Sequence, residues 1–356
     1  MSLSRRVQIF ASALVIIGAA GGVLAAEPAK ISRPRPAPPT PPNVPPLPPA
    51  QIDPSLAVGG EDVKAKKIET RLSVDVHVNG SGPYRFIVDS GADTSVVGLN
   101  IAQRLELPLG SPAILNGMTS RDTVDRVKVD ALTLGPSTIR NLELPALREY
   151  DVGGDGIIGI DALTSKRLLM DFEQKLIKVE DASAPYHRLP GEIVVTARRY
   201  RGQLILTHVL AAGLPLDAVI DTGTEITIGN LALRDKLIKG NRDKFITVPV
   251  IGVTGVTAEL QVARIAELKL GKITISDVPM AFADVPPFKL FGLSEEPAIL
   301  LGTDLLESFR RISLDFKARK VRFQLRRCQT QGIMISTDPD NFSRLSSTGT
   351  ADVCGR

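Results

Sequence analysis

The chain repeats itself once, and this duplication constrains its fold more than any other feature. Residues 72–100, LSVDVHVNGSGPYRFIVDSGADTSVVGLN, lie over residues 204–230, LILTHVLAAGLPLDAVIDTGTEITIGN. Val88-Asp89-Ser90-Gly91 thereby falls on Ile220-Asp221-Thr222-Gly223, 132 positions later. Further blocks keep the same order. Leu132-Thr133-Leu134-Gly135 matches Leu268-Lys269-Leu270-Gly271, Asp155 to Asp161 (DGIIGID) matches Ala298 to Asp304 (AILLGTD), and LLMDFEQKLIKV matches ISLDFKARKVRF with Asp171-Phe172 on Asp315-Phe316. Ordered matches of this kind imply two lobes of one design, placed at 65–183 and 184–327 of the 356 residues.

Within each copy the blocks read as short strands, because apolar and polar residues alternate and Asn-Gly or Gly-Pro pairs separate them. Composition agrees: Val, Ile and Leu dominate the apolar residues, aromatics are 4%, Trp is absent, and Gly and Pro number 30 and 26. An all-β fold follows, with helix confined to 101–105 behind Asn100, 231–239 behind Asn230, and turns opened by Asp161 and Asp304 as capping residues. The basic stretch at 310–327 alternates with Val321, Phe323 and Leu325 and reads as the solvated face of a strand.

The chemistry is carried by the repeated Asp-Ser/Thr-Gly. An apolar strand that runs into such a tripeptide places a carboxylate at a buried strand end, where burial is costly without a special purpose. The glycine lets the backbone turn sharply beside it. One such tripeptide is an ordinary turn; two at matching repeat positions make Asp89 and Asp221 a candidate pair. The second half of each copy supplies Ile157-Ile158-Gly159 and Leu300-Leu301-Gly302, which alone would be core packing. Gly154-Asp155-Gly156-Ile157-Ile158-Gly159 also satisfies a dinucleotide fingerprint, but no clear apolar strand precedes it and the second copy lacks the glycines, so nucleotide binding is not expected.

Together these motifs resemble the aspartic peptidases of the pepsin and retropepsin type, over about residues 69–327. FIVDSGADTSVV at 86–97 is similar to the retropepsin active-site segment, and ILLGTDLL at 299–306 to its C-terminal partner. The resemblance implies two β lobes with a cleft between them, and a water held between the catalytic carboxyls of Asp89 and Asp221. It implies support for that pair from Ser90, Gly91, Thr222, Gly223 and Thr224, the Ser90 and Thr222 hydroxyls bonding across the lobe interface. Ile158, Gly159, Leu301 and Gly302 would form the loops behind the site. Two such carboxyls cannot both ionise, so the dyad would hold one proton. Thr224, with Ala92 as its counterpart, is expected to donate its hydroxyl to Asp221 and leave the proton on Asp89. The implied activity is an aspartic-type endopeptidase acting on an extended polypeptide, as a monomer and without cofactor or metal; the alternative is a weak or inactive peptide-binding scaffold of the same fold. His77, His187 and His208 are isolated and form no metal-ligand cluster.

The sequence departs from the family pattern in three places. Thr224-Glu225-Ile226 stands where the first copy has Ala92-Asp93-Thr94, no Arg follows Gly159 or Gly302, and the flap is unmarked, with candidates at 116–121 and 252–255.

Outside the lobes, Arg5-Arg6 and an apolar run to Ala26 have the layout of a secretory signal peptide, so the chain is expected to be exported, periplasmic or secreted. An uncleaved segment 1–26 would instead anchor it to a membrane. Removing Arg5 and Arg6 brings 43 basic and 39 acidic side chains close to balance, which excludes the basic excess of a nucleic-acid binder. Residues 27–64 form a Pro-rich linker, expected to be extended and free of sheet hydrogen bonds. The two cysteines, Cys328 and Cys354, both lie near or in the tail 328–356 and could form a disulfide or remain separate thiols.

Overall fold

In the computed structural model the described residues are 30–39, 62–68 and 71–326, apart from 136, 164–165, 184, 187–188, 190 and 238–244, together with two-residue strands at 335–336 and 346–347. The signal-like segment, most of the Pro-rich linker, His187, Cys328 and Cys354 lie outside them.

Each copy closes into a six-stranded barrel, and the two barrels share one strand cycle. In lobe 1 the ring runs Arg71–Val78, Ser81–Val88, Gly156–Ile158, Val96–Gly98, Ser137–Leu147, Arg126–Leu134 and back to Arg71–Val78. In lobe 2 it runs Gln203–Ala211, Leu214–Ile220, Ala298–Leu301, Ile228–Gly229, Ile273–Phe282, Thr257–Leu270 and back to Gln203–Ala211. The local reasons are those the pattern predicts. Val74, Val76 and Val78 face the core while Asp75 and His77 are only partly covered, as period two requires. The strands Gly156–Ile158 and Ala298–Leu301 are buried at every position, because each lies parallel to one neighbour inside the barrel wall and has no solvent face. The first hairpin of each lobe turns through two residues with positive φ, Asn79-Gly80 and Ala212-Gly213, the geometry that suits the twist of the flanking strands.

A six-stranded sheet joins the barrels, in the order Asp62–Ile68, Leu176–Asp181, Lys166–Asp171, Phe309–Asp315, Lys320–Leu325, Glu192–Tyr200. Its centre is a pseudo-two-fold axis where Leu169 faces Ser313. Arg167 lies opposite Asp315 and forms an ion pair of 3.2 Å, and Arg311 lies opposite Asp171 and forms the matching one. This is the self-complementary pairing of a two-fold interface. The basic stretch after residue 310 is therefore only in part the solvated face that the alternation suggested: Lys317, Arg319 and Lys320 are exposed, but Arg322 is buried against Asp315, and Arg310 pairs with Glu173. Phe309, Phe316 and Phe323 are buried beneath the sheet, each worth about 1.5–3 kcal/mol of apolar burial.

The helices depart slightly from expectation. Leu99–Arg104 starts on extended Gly98 with no side-chain cap, so Asn100 lies inside it. Its N–H bonds to Glu149 instead. Leu231–Leu237 is capped as expected, Asn230 accepting from the Leu233 N–H at 2.9 Å. The Pro-rich linker is not free of sheet bonds throughout, since Arg35–Pro36 adds as an edge strand to Arg121–Val124.

Candidate active site

Asp89 and Asp221 lie where the second strand of each lobe ends, and the loops behind hold them from the back. The Asp89 N–H donates to the Ile158 carbonyl at 2.9 Å and the Asp221 N–H to the Leu301 carbonyl at 3.1 Å. Next in each loop, Gly159 packs against the backbone of Thr94, and Gly302 against that of Ile226, at distances that leave no room for a Cβ. In front, each carboxylate accepts from the two N–H groups that follow it. Gly91 (2.7 Å) and Ala92 (3.1 Å) serve Asp89; Gly223 (3.0 Å) and Thr224 (3.1 Å) serve Asp221. The glycines are also required by the approach of the lobes. A Cβ on Gly91 would lie 2.6 Å from the Asp221 carboxyl, and one on Gly223 would meet Asp89 more closely still.

The Ser90 and Thr222 side chains cross between the lobes. The Ser90 hydroxyl donates to the Ile220 carbonyl (2.9 Å) and the Thr222 hydroxyl to the Val88 carbonyl (2.8 Å). The same hydroxyl oxygens accept the Thr222 N–H (3.2 Å) and the Ser90 N–H (2.9 Å), respectively. All four bonds are buried, so the spacing of the carboxyls is fixed by backbone and not by the dyad itself.

Burial raises the pKa of both carboxyls. Asp221 is pushed up to about 8, first by desolvation and then by the Asp89 charge. Asp89 is also raised by desolvation, but the N–H groups of Gly91 and Ala92, and the Arg71 guanidinium, pull it down. The neighbouring Arg71 favours the charge on Asp89 and so a preference for the shared proton on Asp221, where Thr224 suggested the opposite preference. The Thr224 hydroxyl donates to the Ile226 carbonyl at 3.3 Å because its loop curls back on itself; only its backbone N–H serves Asp221.

Further cross-lobe contacts, which no contiguous motif marks, lie behind the dyad loops. Arg71 forms a buried 2.7 Å ion pair with Glu225 and reaches the Gly223 carbonyl at 3.4 Å. In the related position Gln203 donates to Asp93 and reaches the Gly91 carbonyl at 3.4 Å. Arg71 and Gln203, and likewise Asp93 and Glu225, are 132 residues apart, so the repeat itself was the signal that could have paired them. Each dyad loop is thus braced from the first barrel strand of the opposite lobe. Asp161 and Asp304 each accept a first-turn N–H, from Ala162 at 2.9 Å and Leu305 at 2.8 Å, although Gly159 and Gly302 hold the N-cap positions, and both also fasten the dyad loops. Asp161 accepts from the Ser95 N–H and hydroxyl (2.9 and 2.8 Å), and Asp304 from the Thr227 N–H and hydroxyl (3.0 and 2.8 Å).

A cleft of about 850 Å³ lies over the dyad. Two hairpins roof it, Ala113–Asn116 with Arg121–Val124, and Ile246–Ile251 with the start of Thr257–Leu270. Both stretches named as flap candidates are hairpin tips, and they interlock. The Ser120 and Thr254 hydroxyls lie 2.7 Å apart, Met118 packs on the lobe 2 apolar cluster around Ile228, and Val253 packs on the lobe 1 cluster around Val96. Gly117-Met118-Thr119 and Gly252-Val253-Thr254 are one more repeated block, too short and too divergent to stand out alone.

A family model described as aspartyl protease matches residues 74–162 and 207–305, one match in each lobe. No curated protein matches the chain.

Proposed function

Because the chain belongs to the aspartyl protease family, we propose that it is an endopeptidase whose catalytic residues are Asp89 and Asp221. The observation that carries this reading is the cross-lobe net of Ser90 and Thr222, which holds the two carboxyls face to face beneath a roofed cleft. Asp89, ionised, takes a proton from a water lying between the carboxyls. The oxygen of that water attacks the scissile carbonyl carbon while protonated Asp221 gives its proton to the carbonyl oxygen. The tetrahedral diol then collapses: the C–N bond breaks, the proton on Asp89 passes to the leaving amine, and a diol proton returns to Asp221. One carboxyl is a base and the other an acid in the same step.

The substrate would be an extended polypeptide, held as a strand between the flaps and the dyad loops. The paired flaps favour the enzyme over the inactive scaffold, since closing hairpins exclude water from the reacting bond. Both aspartates come from one chain, which supports a monomer, and the leader-like N-terminus supports export to the periplasm or beyond. The test is digestion of a peptide library by the wild type, Asp89→Asn and Asp221→Asn, with folding checked by circular dichroism. Each variant is expected to lose at least about 10²–10⁴ in kcat/KM. Near-normal turnover by either would sink the single-chain dyad.

A further inference from the structure

The loops that wall the two ends of the cleft occupy equivalent places, each between the last long strand of its barrel and the strand that carries Ile158 or Leu301, yet their chemistry is opposite. In lobe 2 the wall is Val285, Pro287, Leu290 and Phe291, and beyond the Asp221 loop no charged side chain of that lobe lines the cleft among the described residues. In lobe 1 the wall is 148–155, where Glu149, Asp151 and Asp155 line the cleft and Tyr150, 71% exposed, stands at its mouth. Beneath this acidic rim the floor is apolar, built from Val96, Val124, Leu147 and Ile157.

An apolar floor under an acidic rim matches a long basic side chain, which lays its methylene stem on hydrocarbon and keeps its charge at the polar edge. Asp151 adds an independent sign of a missing partner. Its side chain is 3% exposed, and its Oδ2 accepts from Arg148 at 2.6 Å, but its Oδ1 is buried without a hydrogen-bond partner. A buried carboxylate oxygen left in that state is costly. The Arg148–Asp151 pair lies where the tip of the lobe 2 flap comes down, since a Cβ on Gly255 would meet the Arg148 guanidinium and lie 3.0 Å from Asp151 Oδ2. The exposed Tyr150 ring offers a face for a cation as well.

We propose that the substrate carries Lys or Arg where it lies against 148–155 and a bulky apolar residue where it lies against 285–291, with Asp151 the principal determinant of the basic preference. The inference rests on the protease reading for the identity of the ligand, an extended peptide. Glu149 and Asp155 act through charge, since each already accepts a backbone N–H, from Asn100 and Arg85 respectively.

The test measures binding of peptides whose central amide is replaced by a non-hydrolysable reduced bond, so it does not depend on turnover. Peptides carry Lys, norleucine or Glu on one side of that bond and Leu on the other. The wild type is expected to bind the Lys peptide about tenfold or more tightly than its norleucine twin, and Glu more weakly than either. Asp151→Asn should erase most of that ratio while leaving the norleucine affinity unchanged; a loop merely loosened would weaken both peptides alike. Should Asp151→Asn fail to fold, Asp155→Asn is expected to reduce the same ratio. Equal affinity for Lys and norleucine, or no binding at all, overturns the proposal. Parallel digestion separates the two readings: selective binding without cleavage sinks only the protease, and cleavage without basic preference sinks only this inference.

Discussion

Arg71 and Gln203 stand at the same place in the two lobes, and each reaches across to the dyad loop of the other, yet one brace is an ion pair and the other a neutral donor on a carboxylate. The backbone geometry they support is nearly the same: each also contacts the carbonyl of the glycine after the opposing Asp, both at 3.4 Å. The difference is electrostatic. Arg71 puts a fixed positive charge close enough to Asp89 to lower its pKa. Among the causes acting on Asp221 no cation has this role, and the Asp89 charge raises it. On the proposed mechanism, one difference at a duplicated position thus biases a symmetric scaffold toward unequal acid and base halves. The pair titrates as a unit, so the assignment is a preference between microstates.

The largest effect expected from breaking this comparison is on Arg71. In Arg71→Gln, Glu225 keeps its buried site without its partner, which costs about 3–5 kcal/mol. Gln203→Ala, which removes a neutral donor from Asp93, costs about 1–3 kcal/mol. Urea unfolding of the two variants side by side measures the difference. The ionisation of Asp89 sharpens it further. Without Arg71 its pKa rises, less of the base is ionised at a given acid pH, and the acid limb of kcat/KM moves to higher pH; Gln203→Ala leaves that limb in place. Equal stability losses and unmoved limbs in both variants would mean that the two braces are interchangeable.

Why the lobes were legible and the braces were not follows from where each is written. The Asp-Ser/Thr-Gly and Ile-Ile-Gly blocks are contiguous, and their glycines are obligatory because backbone or carboxyl atoms fill the space a Cβ would need. Such constraints leave the same letters in both copies. Arg71 and Gln203 share a position and a direction but not a residue type, so alignment of letters passes over them. Thr224 misled for a related reason. The sequence places a hydroxyl three residues after Asp221, but the rotamer that carries it to the Ile226 carbonyl depends on the curl of the loop. The flaps were faint because a hairpin tip needs only a turn and one apolar residue to dock on the opposite lobe. The ion pairs of the central sheet depend on a register between strands about 140 residues apart.

A smaller effect is expected where the two dyad loops are fastened. Asp161 and Asp304 do the same work, but a hydroxyl from Thr94 adds a donor to Asp161 at 3.3 Å, whereas Glu307 repels Asp304. Desolvation raises both, Asp304 to about 6. A carboxyl whose folded pKa is raised binds more protons in the native than in the unfolded state between the two values, so its contribution to stability is full below about pH 4 and declines through about pH 6. The loss for Asp304 is on the order of 3 kcal/mol. Asp304→Asn keeps an acceptor for Thr227 and does not titrate. Its stability relative to wild type should therefore improve between pH 4 and 6 and then level off. The same comparison for Asp161→Asn should rise in the same direction. A difference curve for Asp304→Asn that is flat from pH 4 to 7 would remove the linkage.

The smallest effect concerns the flaps, which are alike in form but not in restraint. The lobe 1 hairpin carries a passenger strand. Arg35 faces Thr123 and Pro36 faces Asp122, the Ala37 N–H donates to the Arg121 carbonyl at 3.0 Å, and the Ser32 N–H donates to the Asp125 carboxylate at 2.7 Å. The Arg121 guanidinium returns a bond to the Pro38 carbonyl at 2.6 Å. Proline is tolerated here because the added strand is an edge and its outward side needs no donor. The strand Ile246–Ile251 of the lobe 2 hairpin pairs, among the described residues, only with Thr257–Leu270. Opening the cleft must therefore move a three-stranded flap on one side and a two-stranded one on the other. The Arg35–Asp125 contact, 3.7 Å and largely exposed on the Arg35 side, contributes little, so the restraint rests on the backbone bonds. Ala37→Pro removes one of them without touching the cleft. A neutral hydrogen bond is worth about 1 kcal/mol, so amide exchange across 113–124 should quicken about fivefold. Exchange across 246–257 should stay as it was, since the two tips interlock through side chains and not through the passenger strand. Unchanged exchange in 113–124 would mean that the strand rides on the flap without holding it, and equal quickening in both hairpins would mean that the flaps open as one unit.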